Sequence, residues 1–428
     1  MKKVEIDKGE TYTGFQEALA LVKANTGPAG TDVLPLAGCA GYVSAGDVFA
    51  RISSPAGRTS LKDGFAVQSA DTAGADRAHP RKLTPAGAVF AGGAAAGGIK
   101  PGQAVRVCTG AMVPDGADAV IAAELCREEA NGILIFAENA PGQNILPAGD
   151  DVAAHDRVIS KGQVISPALL AYAAAGGIDR LTVYRKPRFG LISIGDELVE
   201  PGRPLRDGQM YASNLIYNAG WLTYLGIPYE AVLAADDAES IAGRVSKMVP
   251  QVDAIITSGG VMNSERDLTV DVLNSLGWQI KFRHVRSGPG KATAFGVLQG
   301  KPVFCFSGAP ASNALAFLEF ALAGIHRMLG LPGDPLEAGT AVLKQDIEFR
   351  NPDWTEFREA RLETDGSGGT FVVPFSGKGR LKSGAAADCL ICKPEGVDTM
   401  KAGQTVTVHL LPAFLRTRVS LKEEQSHG

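Results

Sequence analysis

Cysteine, histidine, long apolar runs and surplus basic charge are all scarce in this 428-residue chain, and each shortage excludes something. Six cysteines, Cys39, Cys108, Cys126, Cys305, Cys389 and Cys392, do not make a disulfide framework in so long a chain. They read instead as small core residues of a reducing compartment. Cys389 and Cys392 have C-x-x-C spacing, but no second such pair or neighbouring histidine completes four zinc ligands. The run Ala385 to Cys392 is mostly apolar and reads as a buried strand. The six histidines are scattered and support no zinc site. No uninterrupted apolar run reaches spanning length, and the segment Met1 to Asp7 turns acidic before an apolar signal core develops. A cytoplasmic protein with no membrane association is expected. A formal net charge of −4 and a pI near 5.9 leave no basic surplus to hold nucleic acid or anionic lipid.

The remaining composition, 45% hydrophobic and 21% charged, is that of a globular chain, and its length calls for two to four domains. Phe15 to Ala24 carries apolar positions at helical spacing, and Val33 to Val48 suggests a strand and a short helix. From Arg51 to Gly149 short β-like runs alternate with glycine and proline: Phe65–Val67, Ala88–Phe90, Ala104–Val107 and Ile133–Phe136. Ala91 to Gly98 is rich in glycine and alanine but lacks the Lys-Ser/Thr ending of a phosphate loop, so it reads as a hairpin tip.

From Pro187 the pattern becomes strand, helix, strand. The expected strands are Phe189–Ser193, Ala254–Thr257 and Pro302–Phe306. The expected helices run from a cap at Ser213 to about Leu225, from Asp267 to Leu276, and, long and apolar, from Ala311 to Leu329. This alternation predicts a doubly wound, largely parallel sheet. Beyond Gly333 the texture is β again, predicting a small separate β domain, and Thr417 to Gly428 reads as a disordered polar tail.

Ligands of open α/β sheets bind beyond the carboxyl ends of the strands, which is where Asp196, Glu197, Ser258, Gly259, Gly260, Ser307 and Gly308 fall. Five acids, Asp63, Asp151, Glu197, Asp236 and Asp267, lie in or near loops. Gathered in one cleft they suit a hard cation such as Mg²⁺; taken singly, each reads as a helix cap or a solvated loop acid. The glycine-rich stretch Ser287 to Gly296 presents Lys291 and backbone amides either to a phosphate or as an ordinary turn.

In order and spacing, five segments together resemble the molybdopterin molybdenumtransferase family of bacterial MoeA and the E domain of gephyrin. They are Asp63-Gly64-Phe65-Ala66-Val67, Thr109-Gly110-Ala111 with Gly116 to Val120, Gly149-Asp150-Asp151, Gly195-Asp196-Glu197-Leu198, and Ser258-Gly259-Gly260-Val261 with Asp267. The resemblance runs from about Phe15 to Leu411 and implies a multidomain α/β and β protein. Its parts would be an elongated dimerisation domain (1–50 plus 150–186), an inserted β domain (51–149), a MogA-like molybdopterin-binding α/β domain (187–332) and a C-terminal β domain (333–416), before the tail 417–428.

It implies a homodimer whose site lies between one subunit's α/β domain and the other's inserted module. The implied activity is insertion of molybdate into adenylylated molybdopterin with Mg²⁺-dependent release of AMP. A MogA-like adenylyltransferase and molybdoenzyme chaperones are the implied partners. Position by position, Asp63, Asp151, Asp236 and Asp267 match as catalytic residues, with Glu197 and Asp267 as metal ligands. Thr109, Glu197, Ser258, Gly259, Gly260, Lys291, Ser307, Gly308 and Pro310 match as substrate contacts.

Several loops depart from the family pattern: Leu61-Lys62 before Asp63, Ile194 for a threonine, Met262-Asn263-Ser264 for Ser-x-Gly, Gly288 for a cation, and Ser307-Gly308-Ala309-Pro310 for Pro-Gly-Asn-Pro. These departures keep open a second reading, a non-catalytic molybdopterin-binding scaffold. A third, a hydrolase similar to the CinA family, leaves the Asp63 and Thr109 segments unexplained.

Overall fold

A computed structural model describes residues 12–93, 97–260, 268–365, 368–376 and 381–412. Asp267, residues 261–264 of the loop after Gly260, part of the tip at 91–98 and the tail 417–428 lie outside the described residues. The chain divides into one unit of Met1–Thr31 with Tyr184–Gly428 and another of Asp32–Val183.

The first unit is built on a six-stranded sheet. Its elements are β1 (Phe189–Ile194), α1 (Ser213–Tyr224), β2 (Tyr229–Ala234), α2 (Ala238–Met248), β3 (Ala254–Ser258), α3 (Leu268–Ser275), β4 (Gln279–Arg283), β5 (Thr293–Leu298) and β6 (Lys301–Phe306). The order is β2-β1-β3-β6-β5-β4, with the first four strands parallel and β5 and β4 antiparallel to their neighbours. Every residue of β1 and β3 is buried, which is why both read as continuous apolar runs: helices cover a parallel sheet on both faces.

Two expectations need correction here. The stretch from Thr293 to Gly296 is not turn but the start of β5. It pairs with β6 across Gln299-Gly300, both at positive φ (52° and 79°), as a tight hairpin requires. Ser213 is not a cap but the first helical residue, and the N-cap, Ala212, has no side-chain oxygen to offer.

The predicted long helix after β6 is interrupted. α4 (Pro310–Ala316) passes through a π-helical turn, Phe317–Ala321, into α5 (Leu322–Met328). All five residues of the π turn are buried because other elements cover it on more than one side. Phe317 stacks on Trp221 at 5.9 Å, and Phe320 meets Phe15 at 5.3 Å and Phe282 at 5.9 Å. Each buried aromatic contributes about 1.5–3 kcal/mol.

The Phe15–Ala24 helix forms as expected, but its buried Phe15, Ala18 and Val22, spaced i, i+3, i+7, join the core under the α/β sheet. Residues 12–31 therefore pack with this unit and not with 150–186.

A second six-stranded sheet contains Glu337–Leu343, Thr355–Thr364, Thr370–Pro374, Cys389–Lys393 and Thr405–Leu410, with Ser287–Gly288 added along Thr355–Glu356. It has its own core and also contributes to that of the α/β sheet. Phe357, Ala387, Leu390 and Leu411 lie in the α/β core. The expected strand from Ala385 begins later, because Leu381–Ala386 is helical and ladder pairing starts at Cys389. Lys393 on that strand is fully buried, its ammonium donating to the carbonyls of Asn351 (2.8 Å), Pro352 (2.9 Å) and Trp354 (2.6 Å).

The Asp32–Val183 unit holds a third six-stranded sheet, in the order Ala119–Ala122, Gly64–Val67, Gln103–Val107, Arg81–Val89, Gly132–Ile135, Cys126–Glu129. Phe65 and Val67 face one apolar cluster and Ala66 another, so the strand is covered on both sides. Gly64 is required by close approach: a Cβ there would lie 1.8 Å from the Ile121 carbonyl oxygen. A further cluster joins the segments flanking this sheet in sequence, among them Cys39, Ala50, Val158, Ile165 and Ala173. No helix of the described residues is long and apolar enough to cross a membrane.

Candidate functional site

The order of the α/β sheet reverses between β1 and β3. Chain leaving β1 returns as β2 on one side, and chain leaving β2 crosses to β3 on the other. A crevice opens at such a point because the two connections diverge. Here it is a cavity of about 310 Å³.

Its floor begins at Ser193 and Ser258, facing residues of β1 and β3, whose buried hydroxyls lie 2.7 Å apart. Gly259 follows with φ +101°, and a Cβ there would stand 2.3 Å from the Ile194 carbonyl oxygen, so only glycine allows the turn. Its amide donates to the Phe306 carbonyl at 3.0 Å, drawing the end of β6 alongside.

Two helix N-termini meet this floor. Ser213 and Asn214 of α1 line it, and α1 has no side-chain cap, so its first amides remain available to a ligand. Ser307, Gly308, Ala309 and Pro310 line it at the start of α4, which also has no side-chain cap. Asn214 Nδ2 donates to the Gly308 carbonyl at 2.9 Å, tying the two starts together, and the Ala309 amide donates to Ser307 Oγ at 3.1 Å within the second. Free amides, positive helix ends and glycine backbone make an anion site.

Opposite charge is also supplied: Glu197 and Asp236 both line the cavity. The Asp236 amide donates to Asp196 Oδ1 at 3.1 Å, which holds the two acidic loops together. Among the described residues no three His, Cys, Asp or Glu side chains group as a self-sufficient metal site. Two carboxylates beside hydroxyls and an anion floor fit Mg²⁺ instead, which keeps waters and shares substrate phosphate oxygens.

The expected residues thus fall into groups. Glu197, Asp236, Ser258, Gly259, Gly260, Ser307, Gly308 and Pro310 come together in one cleft. Asp63 and Thr109, in the other unit, hold each other: the Thr109 amide and hydroxyl donate to Asp63 Oδ1 at 2.7 and 3.0 Å. Those two bonds keep the exposed Asp63 carboxyl below its ordinary pKa. Asp151 is exposed on another loop, its amide donating to the Ser54 carbonyl at 3.1 Å.

Lys291 is not part of the cleft lining; its ammonium lies 5.0 Å over the Tyr12 ring. Near the altered position Gly288, Arg286 donates to the Tyr12 carbonyl at 3.0 Å and faces Glu395 at 3.5 Å. His284 in the same stretch is buried. Sequence reasoning missed Ser193 and Asn214. A serine inside the otherwise apolar Phe189–Ile194 run was the available signal for the first, while nothing local marked the second.

The C-x-x-C pair is core. Residues three apart on a strand face opposite sides, and Cys389 packs in the C-terminal sheet's own core while Cys392 packs against the α/β core. Burial pushes the Cys392 thiol up to about 12.

Comparison with known proteins adds the whole-chain view. Residues 13–177 match the MoeA N-terminal region (domain I and II), 190–344 a probable molybdopterin binding domain, and 340–411 the MoeA C-terminal region (domain IV). Molybdopterin molybdenumtransferase 2 of Mycobacterium tuberculosis is 33% identical over 383 residues, covering 88% of this chain and 94% of that protein. The molybdopterin molybdenumtransferase of Haemophilus influenzae is 31% identical over 398 residues, covering 90% and 96%. Among solved structures, a molybdopterin biosynthesis MoeA protein from Pyrococcus horikoshii superposes with a TM-score of 0.82 at 31% identity, covering 94% of this chain and 99% of that one. Likeness of this identity over nearly the full length, on the same fold and with the crevice at its switch point, places the chain in the molybdopterin molybdenumtransferase family.

Proposed function

We propose that the chain is a transferase of molybdenum cofactor biosynthesis that inserts molybdate into adenylylated molybdopterin and releases AMP with the help of Mg²⁺. One observation carries this reading: an anion floor and two carboxylates, Glu197 and Asp236, share a single cleft at the sheet's switch point. A pyrophosphate-bearing substrate needs both features. The uncapped starts of α1 and α4 with Gly259 and Gly260 bind its anionic oxygens, and the Ser193–Ser258 pair orients a hydroxyl toward them. Glu197 and Asp236, with Asp267 as the resemblance implies, would hold Mg²⁺, whose charge offsets that of the leaving phosphate. Asp63, Thr109 and Asp151 are proposed to serve the same reaction in a homodimer, and Lys291 to contact substrate after leaving Tyr12. The cytoplasm is the proposed location.

With adenylylated molybdopterin, AMP release followed by chromatography is expected only when molybdate and Mg²⁺ are both supplied. Absence of release with both present overturns the reading. Light scattering at micromolar concentration is expected to give twice the 44.5 kDa subunit mass; a monomer counts against the dimer.

A further inference from the structure

The cleft has a wall that an anion floor does not explain. Met210 and Tyr211 both line it, and they are 55% and 42% exposed. Single exposed apolar side chains are ordinary on a surface. Two consecutive ones on a strand bordering a cavity whose other lining residues are mostly small or polar are a different matter, above all when the strand is held in place.

They are held by a two-residue parallel ladder in which Leu198 faces Met210 and Val199 faces Tyr211. The Met210 amide donates to the Glu197 carbonyl at 2.9 Å, and the Ala212 amide to the Val199 carbonyl at 3.0 Å. The Tyr211 hydroxyl donates to the Arg203 carbonyl at 3.1 Å, so the ring is tied at its far end as well. The connecting loop is braced by the Arg206 amide donating to Gln209 Oε1 at 3.0 Å and the Gln209 amide to the Arg206 carbonyl at 3.0 Å. One residue after Tyr211 the chain enters α1 and the anion floor. Glu197, the Met210–Tyr211 segment and the helix start are therefore linked through backbone, with an acid at one side, a soft apolar ledge beside it and an amide cradle beyond.

We propose that the Met210–Tyr211 strand, whose two side chains face opposite ways, presents one of them to the cleft as the platform for a planar fused nitrogen heterocycle of the substrate, whose phosphate sits on the floor. The proposal rests on the transferase reading for the identity of that ring. A thioether and a phenol ring are the side chains that suit such a face: sulfur is polarizable and attracts ring edges, and an aromatic ring stacks without selecting one pattern of hydrogen bonds. Adenylylated molybdopterin carries two rings of this class, a pterin and an adenine, and the experiment separates them.

Full-length protein is titrated calorimetrically with molybdopterin, AMP and inorganic pyrophosphate, using the wild type, Tyr211→Ala, Tyr211→Phe, Met210→Ala and the double alanine variant. Removing the ledge is expected to weaken one ring-bearing ligand by about tenfold or more. Pyrophosphate binding should stay unchanged and Tyr211→Phe should keep most of the affinity. The ligand that weakens identifies the ring. Wild-type affinities for both ring-bearing ligands in the double variant overturn the proposal, as does an equal loss for pyrophosphate, which makes the segment part of the phosphate site. Ring discrimination without any AMP release leaves the platform standing and overturns the transferase reading alone.

Discussion

Replacing His409 by leucine is expected to destabilise the chain by about 3–5 kcal/mol at pH 6, because it leaves a buried carboxylate without its partner. Glu319 lies within the π turn and is 6% exposed, and His409 Nδ1 on the C-terminal sheet approaches its Oε1 at 2.8 Å. Burial by itself lowers the His409 pKa. The hydrogen bond to Glu319 and its charge, with Asp334 adding to them, outweigh burial and leave it above the ordinary value. Around the pair lie the Phe357 ring, 5.7 Å from the imidazole, and the neutral Cys392 thiol.

A histidine raised on folding contributes stability that is complete below its unfolded pKa, about 6.5, and lost as pH rises through the folded value. The difference between wild type and His409→Leu in denaturant unfolding should therefore be largest near pH 6 and shrink toward pH 9. Adding Glu319→Leu should restore much of the loss, since neither charge then remains. A difference that is flat or grows with pH would show that the pair is not the charged contact described.

Glu197→Gln is expected to lower AMP release by about 10²- to 10³-fold, the usual cost of removing one group that stabilises developing charge. That corresponds to roughly 2.7–4 kcal/mol of the barrier. The substitution keeps shape and removes only charge, and Glu197 is exposed, so the denaturation midpoint should hold. Asp236→Asn should act the same way. Its backbone tie to Asp196 uses the amide and survives the change. Both variants should need more Mg²⁺ to reach half-maximal rate. Turnover and Mg²⁺ dependence like those of the wild type in both would remove these acids from the chemistry.

Much of this site was legible in the sequence because its marks are local. Gly259 stands where a Cβ would meet a carbonyl oxygen, and the acids and serines sit at the ends of apolar runs whose period already announces strands. Fully buried strands such as β1 and β3 announce themselves by composition alone. So does the Phe15–Ala24 helix, although not the unit whose core it joins: a periodic stripe says that a face is buried and not what buries it.

What only the tertiary structure decided is non-local. Ser193 meets Ser258 through the register of two parallel strands 65 positions apart, Asp63 meets Thr109 across 46, and Glu319 meets His409 across 90. Lys393 is likewise placed by distant chain, with the carbonyls of Asn351, Pro352 and Trp354 closing on its ammonium. Local propensity and periodicity carry no information about such pairings. Register follows from which faces the whole chain can bury together, so the residue types at the cleft were written in the sequence, while their meeting awaited the packing of the sheet.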